Sequence, residues 1–356
     1  MSVLVGAQTQ VHSIGDTSWM ELLDRVPHDV YHTAAYHSLP GFGNRGEAFA
    51  FSYCENENTF LWPYLLSAID GSEGWNDVSS VYGYPGPVAT GDMEFVQRAW
   101  AALRDQWKLQ RVVSVFTRFH PLIGNYKVFE NLQDGLKGCR RIGPTVAIDL
   151  RPTSEEQIRS YQKVLRQEIR KTRNLGFTTE EDSDWQYVPD FIHLYSDTMA
   201  RRNSRSDYLV DGPWIENFRK ALGGDARLFV TKWNGTVAAA LLAMKHGPFL
   251  HAHLTGINRD LTAYSPLKVL LDDIREWGTN QGLQSFHLGG GLGGREDSLF
   301  DFKRKFSPGT HEFWTGSWII DPAVYRALAE QHRLNFTSQG IEIGDPGFFP
   351  IYRYQP

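Results

Sequence analysis

Cysteine is almost absent: Cys54 and Cys139 are the only two in 356 residues. Two thiols make no disulfide framework, and the pair suits a reducing compartment. Long apolar runs are missing too. None approaches the roughly 20 residues that a membrane span needs. The opening MSVLVGAQTQVHSIGD has no basic stretch followed by an apolar one, so no secretion signal is expected and the expected location is cytoplasmic. Positive charge is not in surplus. Lys and Arg number 36 against 41 Asp and Glu, for a net charge of −5. Bulk charge therefore argues against DNA binding, and any polyanion needs a local patch. No low-complexity linker interrupts the chain. No G-x-x-x-x-G-K-[ST] and no G-x-S-x-G occurs, which argues against a P-loop and against a nucleophile-elbow hydrolase.

What is present is enough for a real core. Hydrophobic residues make up 41%, and the length suits one large or two ordinary domains. The most legible region is 227–288. RLFVTKW (227–233) and TVAAALLAMK (236–245) read as strands around Asn234-Gly235, a strong hairpin signal. FLHAHLTG (249–256) is a third strand. Ser265-Pro266 then reads as an N-cap followed by the first helical residue. Leu267, Leu270, Leu271, Ile274 and Trp277 follow at helical spacing, and Gly278 and Gly282 stand where that helix should end. LQSFHL is one more strand. The order is β-β-β-α-β.

A fainter version of this order runs through the first half. EAFAFSYC (47–54) and TFLWPYLLSAI (59–69) flank a polar turn, and VSSVYGYPGPVA (78–89) reads as a third extended segment. A helix from about Met93 to Trp107 and a strand RVVSVFTRF (111–119) follow. Matching order in both halves points to two similar domains. The first is expected over 1–147, completed by 315–356, and the second over 148–314. Between them, SEEQIRSYQKVLRQEIRKTRNLGF reads as one helix capped by Ser154. Arg159, Lys163, Arg166, Arg170 and Arg173 make a basic stripe along it. Such a stripe is either a solvated face or a phosphate-facing one. In the second case Lys163, Arg166 and Arg170 are candidate phosphate or tRNA contacts.

Five glycines fill six positions at 289–294, and Gly289, Gly291 and Gly294 match G-x-G-x-x-G. A dinucleotide fingerprint also needs a following helix and strand, with an acid about 20 residues on. Here no second βαβ unit follows: REDSLFDFKRKF comes next, and SPGTHEFWTGSWII reads as a closing strand. His251 and His253 share one strand face, but no metal-ligand set accompanies them, and they read as structural; no metal is expected.

The β-β-β-α-β core fits the GNAT acyltransferase fold, an α+β arrangement in which the acyl donor splays two strands beside the central helix. AYSPLKVLLDDIREWGTNQGLQSFHLGGG followed by LFDFKRKFSPG resembles the FemAB-type transferases, which are tandem GNAT proteins, and the resemblance covers roughly 30–330. It implies two mixed, largely antiparallel sheets flanked by helices. It also implies amide-bond formation, with an acyl or aminoacyl group moving to a primary amine. Carried over from the family, Lys303 is the foremost catalytic candidate, with Phe302 packing beside it and Phe306 completing the motif. Gly289, Gly290 and Gly291 would shape the floor of the transfer site, and Tyr264 stands in the Tyr-Ser-Pro motif.

RSDY departs from the family's Arg-Asp-x-aromatic pattern by one residue, making Arg205 and Tyr208 substrate-binding candidates. RFHPL places Arg118 and His120 where the family has an Arg and an acid. Arg118 is thus a substrate contact, and His120 or Asp301 a candidate base. Tyr84, with Tyr82, would line a rim and stack on a sugar or base.

The resemblance implies aminoacyl-tRNA as donor, and with it an acceptor stem as partner. NRDLTAYSPL lacks the glycine pair with which many members hold the CoA pyrophosphate. The alternative is an acyl-CoA-dependent N-acetyltransferase of polysaccharide biosynthesis. The rival is a non-catalytic glycan-binding protein of the same fold. On the lead reading the donor is a co-substrate, no cofactor is held tightly, and the acceptor is a small-molecule or peptide amine.

Overall fold

The structure, a computed structural model, describes residues 6–41, 45–130, 138–201, 210–341, 344 and 347–355. It divides into two compact units. The first takes the described residues up to Ser38, those between Asn44 and Arg141, and those from Phe313 onward. The second takes those between Leu39 and Gly43 and Ile142–Glu312.

The first unit begins with β1 (Gln8–Ser13), α1 (Thr17–Leu23), α2 (Ala34–His37), β2 (Glu47–Glu55) and β3 (Asn58–Ala68). It continues with β4 (Asn76–Ser79), β5 (Val88–Ala89), α3 (Met93–Leu109) and β6 (Val112–Arg118). Strands β1 to β4 pair antiparallel in sequence, β5 adds to β3, and β4 runs parallel to β6. Helix α3 starts where the Asp92 carboxylate accepts the Phe95 N–H at 2.9 Å, satisfying an amide that the helix itself leaves open. Phe95, Ala99, Trp100, Leu103 and Trp107 recur at helical spacing and are buried. Trp62 of β3 stacks on Trp100 at 5.6 Å. Burying each such ring stabilises the unit by roughly 2–3 kcal/mol.

The second unit runs through β7 (Cys139–Asp149), α4 (Ser154–Ser160), α5 (Lys163–Asn174), β8 (Thr178–Glu181), α6 (Val188–Arg201) and α7 (Gly212–Leu222). Then come β9 (Ala226–Trp233), β10 (Thr236–His246), β11 (Phe249–Ile257), α8 (Pro266–Asn280), β12 (Ser285–Gly290) and α9 (Ser298–Arg304). The strand order is β7-β12-β11-β10-β9-β8, antiparallel except between β12 and β11. Asn234 (φ 49) and Gly235 (φ 78) make the β9–β10 turn with two left-handed residues, as a tight hairpin requires. Leu165 and Ile169 of α5 join Val269, Leu270 and Ile274 of α8 in one core, packed on Leu241, Leu250 and Phe286. The chain leaves the first unit within β7 and returns to it within β13 (Thr310–Ile319), which pairs antiparallel with β6. Helix α10 (Pro322–Thr337) follows.

Each unit thus holds three antiparallel strands, a helix and a strand parallel to the third, and the fold class is α+β with mixed sheets flanked by helices. Four local expectations need correction. The segment 78–89 is not one strand. Its middle is a loop, in which Gly83 (φ +110) lies so near Tyr31 that a Cβ there would be 2.3 Å from the ring. The basic helix is two helices. Tyr161 breaks it with an extended backbone and sends its hydroxyl to Asp272 at 2.9 Å. The cap of α4 is Thr153, in a reciprocal capping box with Glu156. Ser154 instead accepts from the buried Arg275 at 2.8 Å. Helix α8 also runs through Gly278, where a Cβ would press on Leu150 and Leu250 at 3.0 Å.

Candidate active site

The parallel ladder between β11 and β12 has only three rungs: Phe249–Ser285, Leu250–Phe286 and His251–His287. Both strands continue past the last rung without pairing each other, β11 to Ile257 and β12 to Gly290. Each is pulled towards its other neighbour. The β10–β11 register slips at His253, and the β12–β7 register slips at Leu288. A bulge bends its strand and sharpens the local twist, so two bulges just beyond one rung drive the strands apart. The result is a wedge with His251 and His287 at its closed end. Their rings lie 5.4 Å apart, edge to face. In the first unit the matching parallel pair, β4 and β6, also has three rungs. There Arg118 reaches across to Ser80 Oγ at 3.2 Å and towards the Val81 carbonyl at 3.5 Å.

The glycine turn forms one arm of the wedge. Gly289, Gly293 and Gly294 have positive φ. A Cβ on Gly291 would be 1.9 Å from the Arg295 carbonyl oxygen. The amides that a phosphate would need are already engaged. Asp297 accepts from Leu292 N–H at 2.9 Å and from Leu299 and Phe300 N–H at 3.1 and 3.0 Å. These bonds hold its carboxyl below the usual carboxylate range. The protein's own anion fills the place that the glycine pattern offers to a phosphate. Lys303 Nζ, half-buried on α9, donates to the Gly290 carbonyl oxygen at 2.7 Å. Phe302 meets the buried Phe306 edge to face at 5.6 Å.

At the start of α8, Ser265 takes left-handed angles (φ 57, ψ 46) and makes no side-chain cap. Its hydroxyl accepts from Lys268 Nζ at 3.2 Å. The amides here are spent locally: Leu261 on Asn258, Ser265 on Thr262, Lys268 on Ser265. Pro266 has none.

Residues 159–304 match the acetyltransferase (GNAT) domain family, a span that includes both arms of the wedge, the glycine turn and Lys303. The chain carries a GNAT acyltransferase domain. Around that domain, the whole fold is similar to the crystal structure of FemX. The TM-score is 0.67 at 13% identity, over 89% of this chain and 99% of that one. The structure of L-PGS from Bacillus licheniformis is similar at a TM-score of 0.50 and 14% identity, over 86% and 93%. At these identities the likeness is one of fold. Among curated proteins, none matches the sequence. No described helix is long and apolar enough to cross a membrane.

Gly289, Gly290, Gly291, Phe302 and Lys303 lie together where β12 ends and α9 follows. Asp301 is exposed on α9. Two residues of helix turn it about 200° from Lys303, so the two do not converge. Tyr264 is 38% exposed, beside Phe177 and Trp233 with ring centroids at 5.9 and 5.5 Å. Lys163 and Arg170 are exposed on α5, and Arg166 donates to the Arg159 carbonyl at 2.9 Å. The rest of the expected stripe is neutralised. Arg159 pairs with Glu155 at 2.6 Å, and Arg173 pairs with Asp272 at 2.9 Å and with Asp273. Arg205 and Tyr208 lie outside the described residues.

In the first unit, His120 is fully buried with both ring nitrogens committed. Nε2 meets Asp29 Oδ2 at 2.7 Å, and Nδ1 accepts the Ile123 N–H at 3.1 Å. That commitment leaves neither nitrogen to take an amine's proton. Tyr84 is ringed by Tyr31, His120 and Phe313, all edge-on or nearly so, rather than open for stacking. Asp29 as the partner of His120, and His287 beside His251, escape a sequence reading. Each pair is joined by folding, and neither has a motif.

Proposed function

We propose that the chain is an N-acyltransferase that forms an amide bond between an acyl or aminoacyl group and a primary amine. The observation that carries this reading is the wedge between β11 and β12, bordered by the glycine turn and by Lys303. An acyl donor entering there would put its carbonyl near the Lys303 ammonium. A fixed cation at that point stabilises the oxyanion of the tetrahedral intermediate, and confinement in the wedge supplies proximity. The acceptor amine belongs to an envelope precursor, an amino sugar or a natural-product intermediate. The acyl donor is a co-substrate rather than a resident cofactor.

The donor is aminoacyl-tRNA on the reading that the start of α8 favours. Its amides are engaged locally, and a diphosphate there would find few donors. Lys163 and Arg170 add exposed positive charge on α5, in a chain whose net charge is −5. A second reading, acyl-CoA as donor, is favoured by the family description itself, which names an acetyltransferase. The test is transfer of label from aminoacyl-tRNA or from acetyl-CoA to a pool of amines, with and without RNase. Transfer from the tRNA that RNase abolishes is expected. Transfer from acetyl-CoA alone, indifferent to RNase, gives the donor site to CoA. Binding of a glycan with no transfer from either donor removes the enzyme reading.

A further inference from the structure

The acyl-transfer reading lacks a base for the acceptor amine, because His120 is committed to Asp29 and Asp301 points away. We propose that the pair His251 and His287, at the closed end of the wedge, takes the proton from the amine. This inference rests on the acyl-transfer reading of the same wedge.

Three observations support it. The two imidazoles form the last rung before the strands part, 5.4 Å apart. They are 1% and 3% exposed, so both are shielded from bulk water. Their neighbours Leu250 and Phe286 pack into the α5–α8 core. Side chains alternate along a strand, so the histidines lie on the opposite face of the sheet. Imidazole is also the side chain whose ordinary pKa, about 6.5, suits proton transfer near neutrality.

Within the sheet, the charged side chains nearest by register are Lys245, opposite Leu250 on β10, and Asp149, opposite Ser285 on β7. Met244 is opposite His251 on β10, and Ala147 is opposite His287 on β7. His253, the next residue on that face of β11, stacks on Phe218 at 5.6 Å. Burial, with a smaller contribution from His251, pushes it down to about 3, so it stays neutral beside the pair.

The step balances as follows. The acceptor arrives as an ammonium and gives one proton to the pair. The freed nitrogen attacks the acyl carbonyl carbon, and the C–N bond forms. The C–O bond of an aminoacyl ester, or the C–S bond of a thioester, breaks. The departing oxygen or sulfur takes the second nitrogen proton, and the imidazolium returns the first to water.

The test uses the full chain, each donor in turn, and two amines. Butylamine is an ammonium at neutral pH, and hydroxylamine is already neutral. With the pair as base, wild-type transfer to butylamine rises with pH only until the imidazoles are neutral and then levels off, well below the amine's own pKa. A rate that keeps rising about tenfold per pH unit to pH 9 tracks free amine alone and overturns the proposal without any variant. His251→Gln and His287→Gln should lower transfer to butylamine by about 10²–10⁴, turn the plateau into a steady rise, and slow hydroxylamine far less. Equal slowing of both amines makes the pair structural and overturns the proposal, leaving the acyl-transfer reading in place. No transfer by the wild-type chain, from either donor to either amine, overturns both.

Discussion

Lys303 Nζ donates to the carbonyl oxygen of Gly290 at 2.7 Å, which ties α9 to the last residue of β12. A short α9, capped by Asp297, brings the ammonium back over the strand that precedes it. The bond fixes where the charge stands along the wedge.

Removing that charge should therefore act on transfer more than on folding. Lys303→Ala is expected to lower kcat by about 10²–10³, the usual effect of losing one oxyanion donor. The midpoint of unfolding should stay nearly unchanged. Lys303→Arg keeps the charge and should retain part of the rate. Steady-state transfer beside a urea melt checks both. Full activity in Lys303→Ala removes the residue from the mechanism.

The glycine turn predicts a steric effect. In Gly291→Ala the new methyl would start 1.9 Å from the Arg295 carbonyl oxygen. The turn must open, and Asp297 must give up part of its grip on Leu292. Transfer should fall by at least the tenfold that a misplaced catalytic group costs, with donor binding by fluorescence titration affected less than kcat.

The cations of α5 separate the two donors. Replacing Lys163, Arg166 and Arg170 with Glu should weaken tRNA binding and reduce the salt slope by up to about three phosphate contacts, each worth about 0.7–0.9. Transfer from acetyl-CoA should be unaffected. Filter binding from 50 to 300 mM salt measures the slope. An unchanged slope makes this a solvated face.

Acid should destabilise the first unit through His37. Burial pushes its imidazole down to about 4, only partly offset by its hydrogen bond to the Thr33 carbonyl. The unfolded chain binds this proton near pH 6.5 and the folded chain only near 4. Stability is therefore full above 6.5 and falls between those values by about 1.4 kcal/mol per pH unit. His37→Gln should flatten that slope in urea melts run from pH 7 to pH 4.5.

A buried ion pair holds the C-terminal segment. Asp77, 4% exposed, accepts from Arg353 Nε at 2.6 Å, Tyr352 at 2.5 Å and Ser114 at 2.9 Å. Arg353→Ala leaves that carboxylate short of its cation and should cost about 3 kcal/mol, the low end for a broken buried pair. Asp77→Asn combined with Arg353→Gln should cost less than the two changes summed. A double-mutant cycle by chemical denaturation measures the coupling.

Much of the fold was legible because local chemistry decides it. Asn234-Gly235 sets its hairpin whatever the rest of the chain does, and α3 and α8 declare themselves by apolar spacing. The basic segment misled because helix periodicity persists across Tyr161, where the chain turns for the sake of Asp272, a residue far away in sequence. Ser265-Pro266 marks where α8 starts but not how it is capped, since left-handed angles leave no letter in the sequence. The Phe302–Lys303 motif is compact and visible. The His251–His287 rung is not, because a helix separates the two residues and only strand register joins them.

The order of synthesis runs against the order of the units. Strand β13, which pairs with β6, and the Tyr352 and Arg353 that close over Asp77 come from the far end of the chain. A ribosome releasing this protein exposes the whole GNAT segment before the first unit can be completed. The N-terminal sheet must wait with β6 unpaired along one side, an open edge of the kind that invites aggregation.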